Sequence, residues 1–145
     1  MAILEITTPK RWAVDTSVAV PRLLESHPNH ELVKQVIGNR KVHLSGHALA
    51  ETYSILTRLP NVSLDAKQVA QVIDKNFLPV FLLPSKAFAS IHQKFADRGI
   101  KGGAIYDGLV GLAAKENGAT LLTMDTRASA TYDALGVEVE IIAVS

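Results

Sequence analysis

Apolar residues gather along this chain in short dense runs, separated by longer stretches in which they recur every three or four positions. The runs fall at about residues 11 to 15, 41 to 45, 78 to 83, 119 to 124 and 138 to 144, and their Val, Ile, Leu and Phe content is that of buried strands. Between them the spacing predicts helices over roughly 17 to 26, 30 to 39, 46 to 59, 65 to 76, 85 to 98, 104 to 117 and 127 to 135. Asn117-Gly118 and Gly136 read as C-terminal caps, Pro60 follows a helix, and Ser85 is placed to open one. Strands that alternate with helices in this way predict an α/β fold built on a mostly parallel sheet of about five strands.

With 145 residues, no internal repeat and no Pro/Gly/Ser linker, residues 1–145 are expected to form one domain, in which 1–10 are a short N-terminal extension. The absence of cysteine excludes thiolate metal sites and thiol nucleophiles, and fits a reducing compartment. Fifteen basic residues against fourteen acidic leave a net charge of +1, too balanced for a nucleic-acid coat or a polybasic membrane tail. An RNA ligand would therefore need its cations placed locally. No apolar stretch approaches a membrane span, and an N-terminus with Glu5 and Pro9-Lys10-Arg11 lacks the order of a signal peptide. A cytoplasmic protein without membrane association is expected.

Four acidic residues stand where a carboxylate serves folding poorly. Asp15 ends the apolar run Trp12-Ala13-Val14 and Asp125 ends Ala119 to Met124, so both fall at the C-terminal tips of strands, where open α/β sheets bind ligands. Asp107 lies within Gly103 to Lys115, apolar on nearly every helical face, and a carboxylate buried there needs a partner. The residues one turn from it, Gly103, Ala104 and Gly111, with Ala114 a turn further, leave room for a backbone or an ion. Glu51 borders an apolar stripe of Ala48, Leu49, Thr52, Tyr53, Leu56 and Leu59, which turns it toward a crevice edge. Taken singly, each has a structural alternative: Asp15 and Asp125 as helix N-caps, Glu51 as a solvated helix residue, Asp107 paired with Arg98 or Lys101. As a set converging on one sheet edge they would repel unless a cation sat among them, and Mg²⁺ or Mn²⁺, hard ions that prefer oxygen, suit such a site.

The segments Val14 to Val18, Ala50 to Pro60, Ile105 to Ala114 and Ala119 to Arg127 resemble the motifs of the PIN-domain nucleases, in order and spacing most like a VapC-type ribonuclease toxin of type II toxin-antitoxin systems. The resemblance runs from about Arg11 onward. It implies a three-layer fold with a parallel sheet between helices, and an acidic pocket that binds Mg²⁺, or Mn²⁺ as a substitute, and cleaves RNA phosphodiester bonds. Asp15, Glu51, Asp107 and Asp125 carry over to the acidic cluster, and Thr16, Ser17 and Thr123 to the small polar residues that line or brace it. Asp15, Asp107 and Asp125 are the expected metal ligands, with Glu51 holding or activating a water. A homodimer and a complex with a VapB-type antitoxin follow from the same resemblance. Two departures stand out. Arg127 occupies a position where some PIN nucleases have a further acidic residue, and Gly108 stands where Ala is frequent, which should leave more room beside Asp107.

Arg98 and Lys101, on the flexible Asp97-Arg-Gly-Ile-Lys-Gly-Gly103 segment, and Arg127 after the last motif carboxylate, are candidates for RNA phosphates. His27 with His30 and His43 with His47 have spacings seen in zinc sites, but no metal-binding frame surrounds them and surface or cap roles are expected. Trp12, Phe77, Phe81, Phe88 and Phe95 read as core or subunit-contact residues. Two other functions remain open beside the nuclease: a catalytically weak PIN-like RNA-binding or partner-binding module, and a phosphate-signalling receiver, for which the additional acidic cluster and later-strand Lys are not found.

Overall fold

The computed structural model describes residues 9–144, so most of the expected N-terminal extension, residues 1–8, lies outside the described residues. Five strands form one sheet: β1 Arg11–Val14, β2 Val42–Ser45, β3 Leu78–Phe81, β4 Ala119–Thr123 and β5 Val139–Ile141. Every pairing is parallel, in the order β3-β2-β1-β4-β5. β4 is buried at all of its positions, Ala-Thr-Leu-Leu-Thr, as an inner strand covered on both faces must be. Its neighbour β1 contributes Ala13 and Val14, fully buried.

Helices flank the sheet: α1 Thr16–Leu23, α2 His30–Ile37, α3 Ala48–Arg58, α4 Ala66–Asn76, α5 Ser85–Phe88, α6 Ile91–Asp97, α7 Ala104–Glu116 and α8 Ala128–Ala134. Helix α1 packs on α2 and α3, α3 on α4, and α7 on α8, β2 and β4. The start of α4 is set by a reciprocal capping box between Asp65 and Gln68. The ends of α7 and α8 are followed by Gly118 and Gly136 with φ of 65° and 70°, the left-handed conformation that glycine supplies at a helix terminus.

The sequence expectation of a mostly parallel α/β sheet matches this architecture, with differences of extent. The helix expected over 85 to 98 is two segments, because Ser90 takes an N-cap position and its carbonyl accepts the amides of Gln93 and Lys94, restarting the chain as α6. Phe95 of the second segment is buried while Phe88 of the first is exposed. β3 and β5 end sooner than their apolar runs. Tyr53, assigned to the apolar stripe of α3, is 40% exposed, whereas Ala48, Thr52 and Leu56 are buried. Trp12 is half-buried under two cations, Lys10 at 4.4 Å and Arg40 at 4.3 Å from its ring centre, which cover its π face.

The strand order reverses at β1. From it the chain proceeds through β2 to β3 on one side and returns through β4 to β5 on the other. The C-terminal ends of β1 and β4 therefore border the topological switch point, where helices on opposite faces diverge and leave a crevice.

Candidate active site

Asp15 follows β1, and its amide donates to the Leu122 carbonyl of β4 at 3.3 Å, so the sheet pairing itself holds the carboxylate beside the end of β4. The residue is 5% exposed, and its carboxylate accepts from three hydroxyls. Ser17 Oγ donates to Oδ1 at 2.5 Å, while Thr123 Oγ1 at 2.5 Å and Tyr132 OH at 2.9 Å donate to Oδ2. Ser17 Oγ in turn accepts the Met124 amide at 2.8 Å, and Thr123 Oγ1 accepts the Asp125 amide at 3.0 Å. The two amides that follow β4 thus pass their donor direction through two hydroxyls to one carboxylate. Burial pushes the Asp15 carboxyl above the usual carboxylate range, and the Ser17, Thr123 and Tyr132 hydroxyls pull it back. Asp15 occupies the N-cap position of α1 but makes no side-chain capping bond.

Asp125 stands two residues before Arg127, the N-cap of α8, and its Oδ1 accepts the amides of Arg127 at 2.9 Å and Ala128 at 3.2 Å, fixing the turn into the helix. Glu51 and Asp107 sit in the first turns of α3 and α7. Among the described residues neither has a hydrogen-bond or ion-pair partner, and the pairing of Asp107 with Arg98 or Lys101 is absent. All four carboxylates line one cavity of about 420 Å³, together with Thr16, Ser17, His27 and Asn29. The Asp107 carboxyl is pushed up, first by burial and then by the negative charges of Asp125, Asp15 and Glu51 in that order. The four therefore share one field.

They are not a closed cage. Among the described residues no three His, Cys, Asp or Glu side chains stand in a group ready to hold one ion. The donor chemistry nevertheless suits a hard divalent cation. Thr16 Oγ1 is buried without a hydrogen-bond partner, one Asp125 oxygen is unengaged beside the amide-accepting one, and no donor occupies Asp107 or Glu51. Oxygen-only ligands of this kind match Mg²⁺ or Mn²⁺.

The candidate cations lie elsewhere. Arg98 donates to the Ala134 carbonyl at the end of α8 at 2.6 Å, Lys101 and Arg127 are exposed, and none of the three lines the acidic cavity. The space expected beside Asp107 at Gly108 is taken: a Cβ there would meet Phe95 Cζ at 2.8 Å. At Gly111, also expected to be open, the ring of Tyr132 lies where a Cβ would approach its Cδ1 to 2.8 Å. Tyr132 is not singled out by the sequence, and His27, weighed there only as half of a zinc-type spacing, is expected in a surface or cap role. The signal for Tyr132 was an isolated aromatic in line with Ala128 and Leu135 on a short helix, since a buried phenol needs a partner. His27 reaches the cavity wall with Nδ1 accepting the Asn29 amide at 3.0 Å, a local turn with no sequence signature.

A family profile for the PIN domain matches residues 13–134. The chain is 45% identical over 132 residues to Ribonuclease VapC27 of Mycobacterium tuberculosis, covering 90% of this chain and 96% of that protein. It is 42% identical over 136 residues to Ribonuclease VapC40 of the same species, with 90% and 98% covered. Among solved structures, DNA-bound VapBC from Salmonella typhimurium superposes with a TM-score of 0.64 at 15% identity over 93% of this chain and 100% of that one. FitAcB from Neisseria gonorrhoeae does so with a TM-score of 0.60 at 24% identity, over 88% and 95%. At these identities the structures speak for the fold.

Proposed function

We propose, from the premise that this chain belongs to the PIN-domain family, that it is an endoribonuclease that hydrolyses RNA phosphodiester bonds with Mg²⁺ or Mn²⁺ and acts as the toxin of a toxin-antitoxin pair. The observation that carries this reading is the convergence of Asp15, Glu51, Asp107 and Asp125 on one cavity, in which burial first, and then the charges of Asp125, Asp15 and Glu51, push the Asp107 carboxyl up. Like charges gathered at a switch point are costly to the fold, and a divalent ion would offset that cost.

Asp15, Asp107 and Asp125 are assigned to hold the ion, beside Thr16, which lines the same cavity and whose buried Oγ1 has no hydrogen-bond partner. An ion held there would offset part of the negative charge of these carboxylates and supply a Lewis acid for a phosphoryl oxygen. The chain's own contribution is orientation. Ser17, Thr123 and Tyr132 fix Asp15 as a hydrogen-bond acceptor, and Asp125 is tethered to the first amides of α8. Glu51, the exposed member on α3, is assigned to orient the attacking water and accept its proton. Arg98, Lys101 and Arg127 are assigned to flanking phosphates, where exposed cations add affinity without sequence preference.

A second reading is a catalytically weak PIN-like module that binds RNA or a partner. The present spacing of the carboxylates, with no three grouped to hold an ion as they stand, favours it. Partners are part of both readings. VapBC from Rickettsia felis and FitAB are solved as assemblies with DNA, and we infer a VapB-type antitoxin and a homodimer for this chain. Exposed Tyr53 and Leu82 beside an apolar groove between α3, α4 and β3 support such a contact. No helix among the described residues is long and apolar enough to cross a membrane, and cytoplasmic action on RNA as one PIN-like domain is part of the proposal.

The test is cleavage of a structured RNA by purified, antitoxin-free protein, with Mg²⁺, Mn²⁺ or EDTA. The nuclease reading expects cleavage with either ion and none in EDTA. RNA binding without cleavage at any ion concentration would favour the module, and full-rate cleavage in EDTA would remove the metal mechanism.

A further inference from the structure

A carboxylate offers about four lone-pair sites on its two oxygens. At Asp15, Thr123 Oγ1 and Tyr132 OH occupy both sites on Oδ2, and Ser17 Oγ occupies one on Oδ1. The directions of these bonds are constrained: Ser17 and Thr123 each accept a main-chain amide and give their single hydrogen to Asp15. The Val18 amide, which also pulls weakly on this carboxylate, has its hydrogen bond to the Asp15 main-chain carbonyl at 3.2 Å. A single lone-pair site on Oδ1 is left for a ligand.

Tyr132 is the member of this set placed from farthest away in the sequence. Its ring is fully buried and rests on Gly111, where even a Cβ would come within 2.8 Å of it. Among the described residues its hydroxyl has no partner but Asp15. The phenol is thus held by packing at the oxygen it engages.

We propose that Tyr132 is a positioning residue that restricts Asp15 to ligation through one oxygen, and so biases the acidic cavity toward small octahedral divalent ions and against calcium. Mg²⁺ requires near-ideal octahedral geometry and takes one oxygen from each of few carboxylates, keeping several waters, whereas Ca²⁺ accepts six to eight oxygens and readily takes a carboxylate through both. A carboxylate with one open site serves the first ion and denies the second a chelating pair. This inference rests on the metal-binding reading of the site. It concerns which ion is held, and Tyr132 touches neither ion nor substrate.

The test is ion binding without RNA. Mn²⁺ bound to the purified protein is measured by electron paramagnetic resonance, then displaced with Mg²⁺ and separately with Ca²⁺. Tyr132→Phe keeps the ring and removes the hydroxyl. It is expected to shift the ratio of Ca²⁺ to Mg²⁺ affinity toward calcium by about tenfold, the lower end of what loss of an outer-shell partner produces. Thr123→Val, which frees the other site on the same oxygen, is expected to shift the ratio in the same direction and carries the test if Tyr132→Phe shows no cooperative melt. A purely structural Tyr132 would lower the melting temperature in EDTA and leave the ion ratio unchanged, and an unchanged ratio overturns the inference. Wild-type protein that binds no Mn²⁺ overturns both this inference and the metal-dependent reading beneath it.

Discussion

Gly108 and Phe95 meet so closely that a Cβ on the glycine would lie 2.8 Å from the Cζ of the phenylalanine and 2.9 Å from its Cε1. The ring of α6 is pressed onto the turn of α7 that follows Asp107. The glycine at 108 is therefore matched to a large neighbour, and the pair fixes how the short helix α6 lies against α7. Gly108→Ala is expected to destabilise the protein by about 1–3 kcal/mol, the usual cost of overpacking, and Phe95→Leu in the same chain should recover part of it. Urea denaturation of the two single variants and the double variant gives the coupling; additive losses would show that the contact is not shared.

The charge on Asp107 gives a pH signature. Its carboxyl is raised in the folded protein by burial and then by Asp125, Asp15 and Glu51, so the folded state holds the proton more tightly than the unfolded chain. Below the ordinary carboxylate range Asp107 is protonated in both states and carries no penalty. As pH rises from that range to the raised value, the penalty develops and stability falls, and above the raised value the penalty is fully present and constant. Asp107→Asn should accordingly melt at or above the wild-type temperature at neutral pH in EDTA, and the difference should vanish in acid. A variant less stable than wild type at neutral pH would show that Asp107 is satisfied in a way the cavity does not reveal.

The same substitution separates stability from ion binding. A ligand that binds only the native state raises stability with its concentration, so added Mg²⁺ should raise the melting temperature of wild type more than that of Asp107→Asn. RNA cleavage should be lost in the variant. An active variant with a full Mg²⁺-dependent shift would remove Asp107 from the site.

The exposed cations predict a salt dependence. In a cleavage-inactive background such as Asp107→Asn, Lys101→Ala and Arg127→Ala should each weaken RNA binding and reduce the slope of log affinity against log salt by roughly 0.7 to 0.9. Arg98→Ala should do the same less strongly and also lower thermal stability, since its guanidinium holds the Ala134 carbonyl at 2.6 Å. Unchanged affinity and slope for all three would place the RNA path elsewhere.

Much of this arrangement is legible in the sequence because it is local. Val14 followed by Asp15, and Leu122 to Asp125, announce strand tips through apolar runs that stop at a carboxylate, and parallel alternation then puts both at one sheet edge. What is not legible depends on distant contacts. The break at Ser90 is hidden because Ser85 to Arg98 has helical periodicity throughout, and only the opposite orientations of Phe88 and Phe95 require the restart. Tyr132 lies 117 positions from the carboxylate it donates to, and no spacing rule spans that interval. The empty face expected around Asp107 was read from small residues alone, whereas Gly108 and Gly111 are small because Phe95 and Tyr132 occupy the volume.

The parallel pairing of β1 with β4 has a consequence in time. Asp15 is synthesised 117 residues ahead of Tyr132, its strand partner begins at Ala119, and the hydroxyls on its Oδ2 come from Thr123 and Tyr132. A nascent chain shorter than this carries Asp15 and Glu51 with neither the strand nor the donors that shape the cavity. The acidic cavity, and whatever chemistry it carries, therefore exists only once the segment through Tyr132 is available to fold.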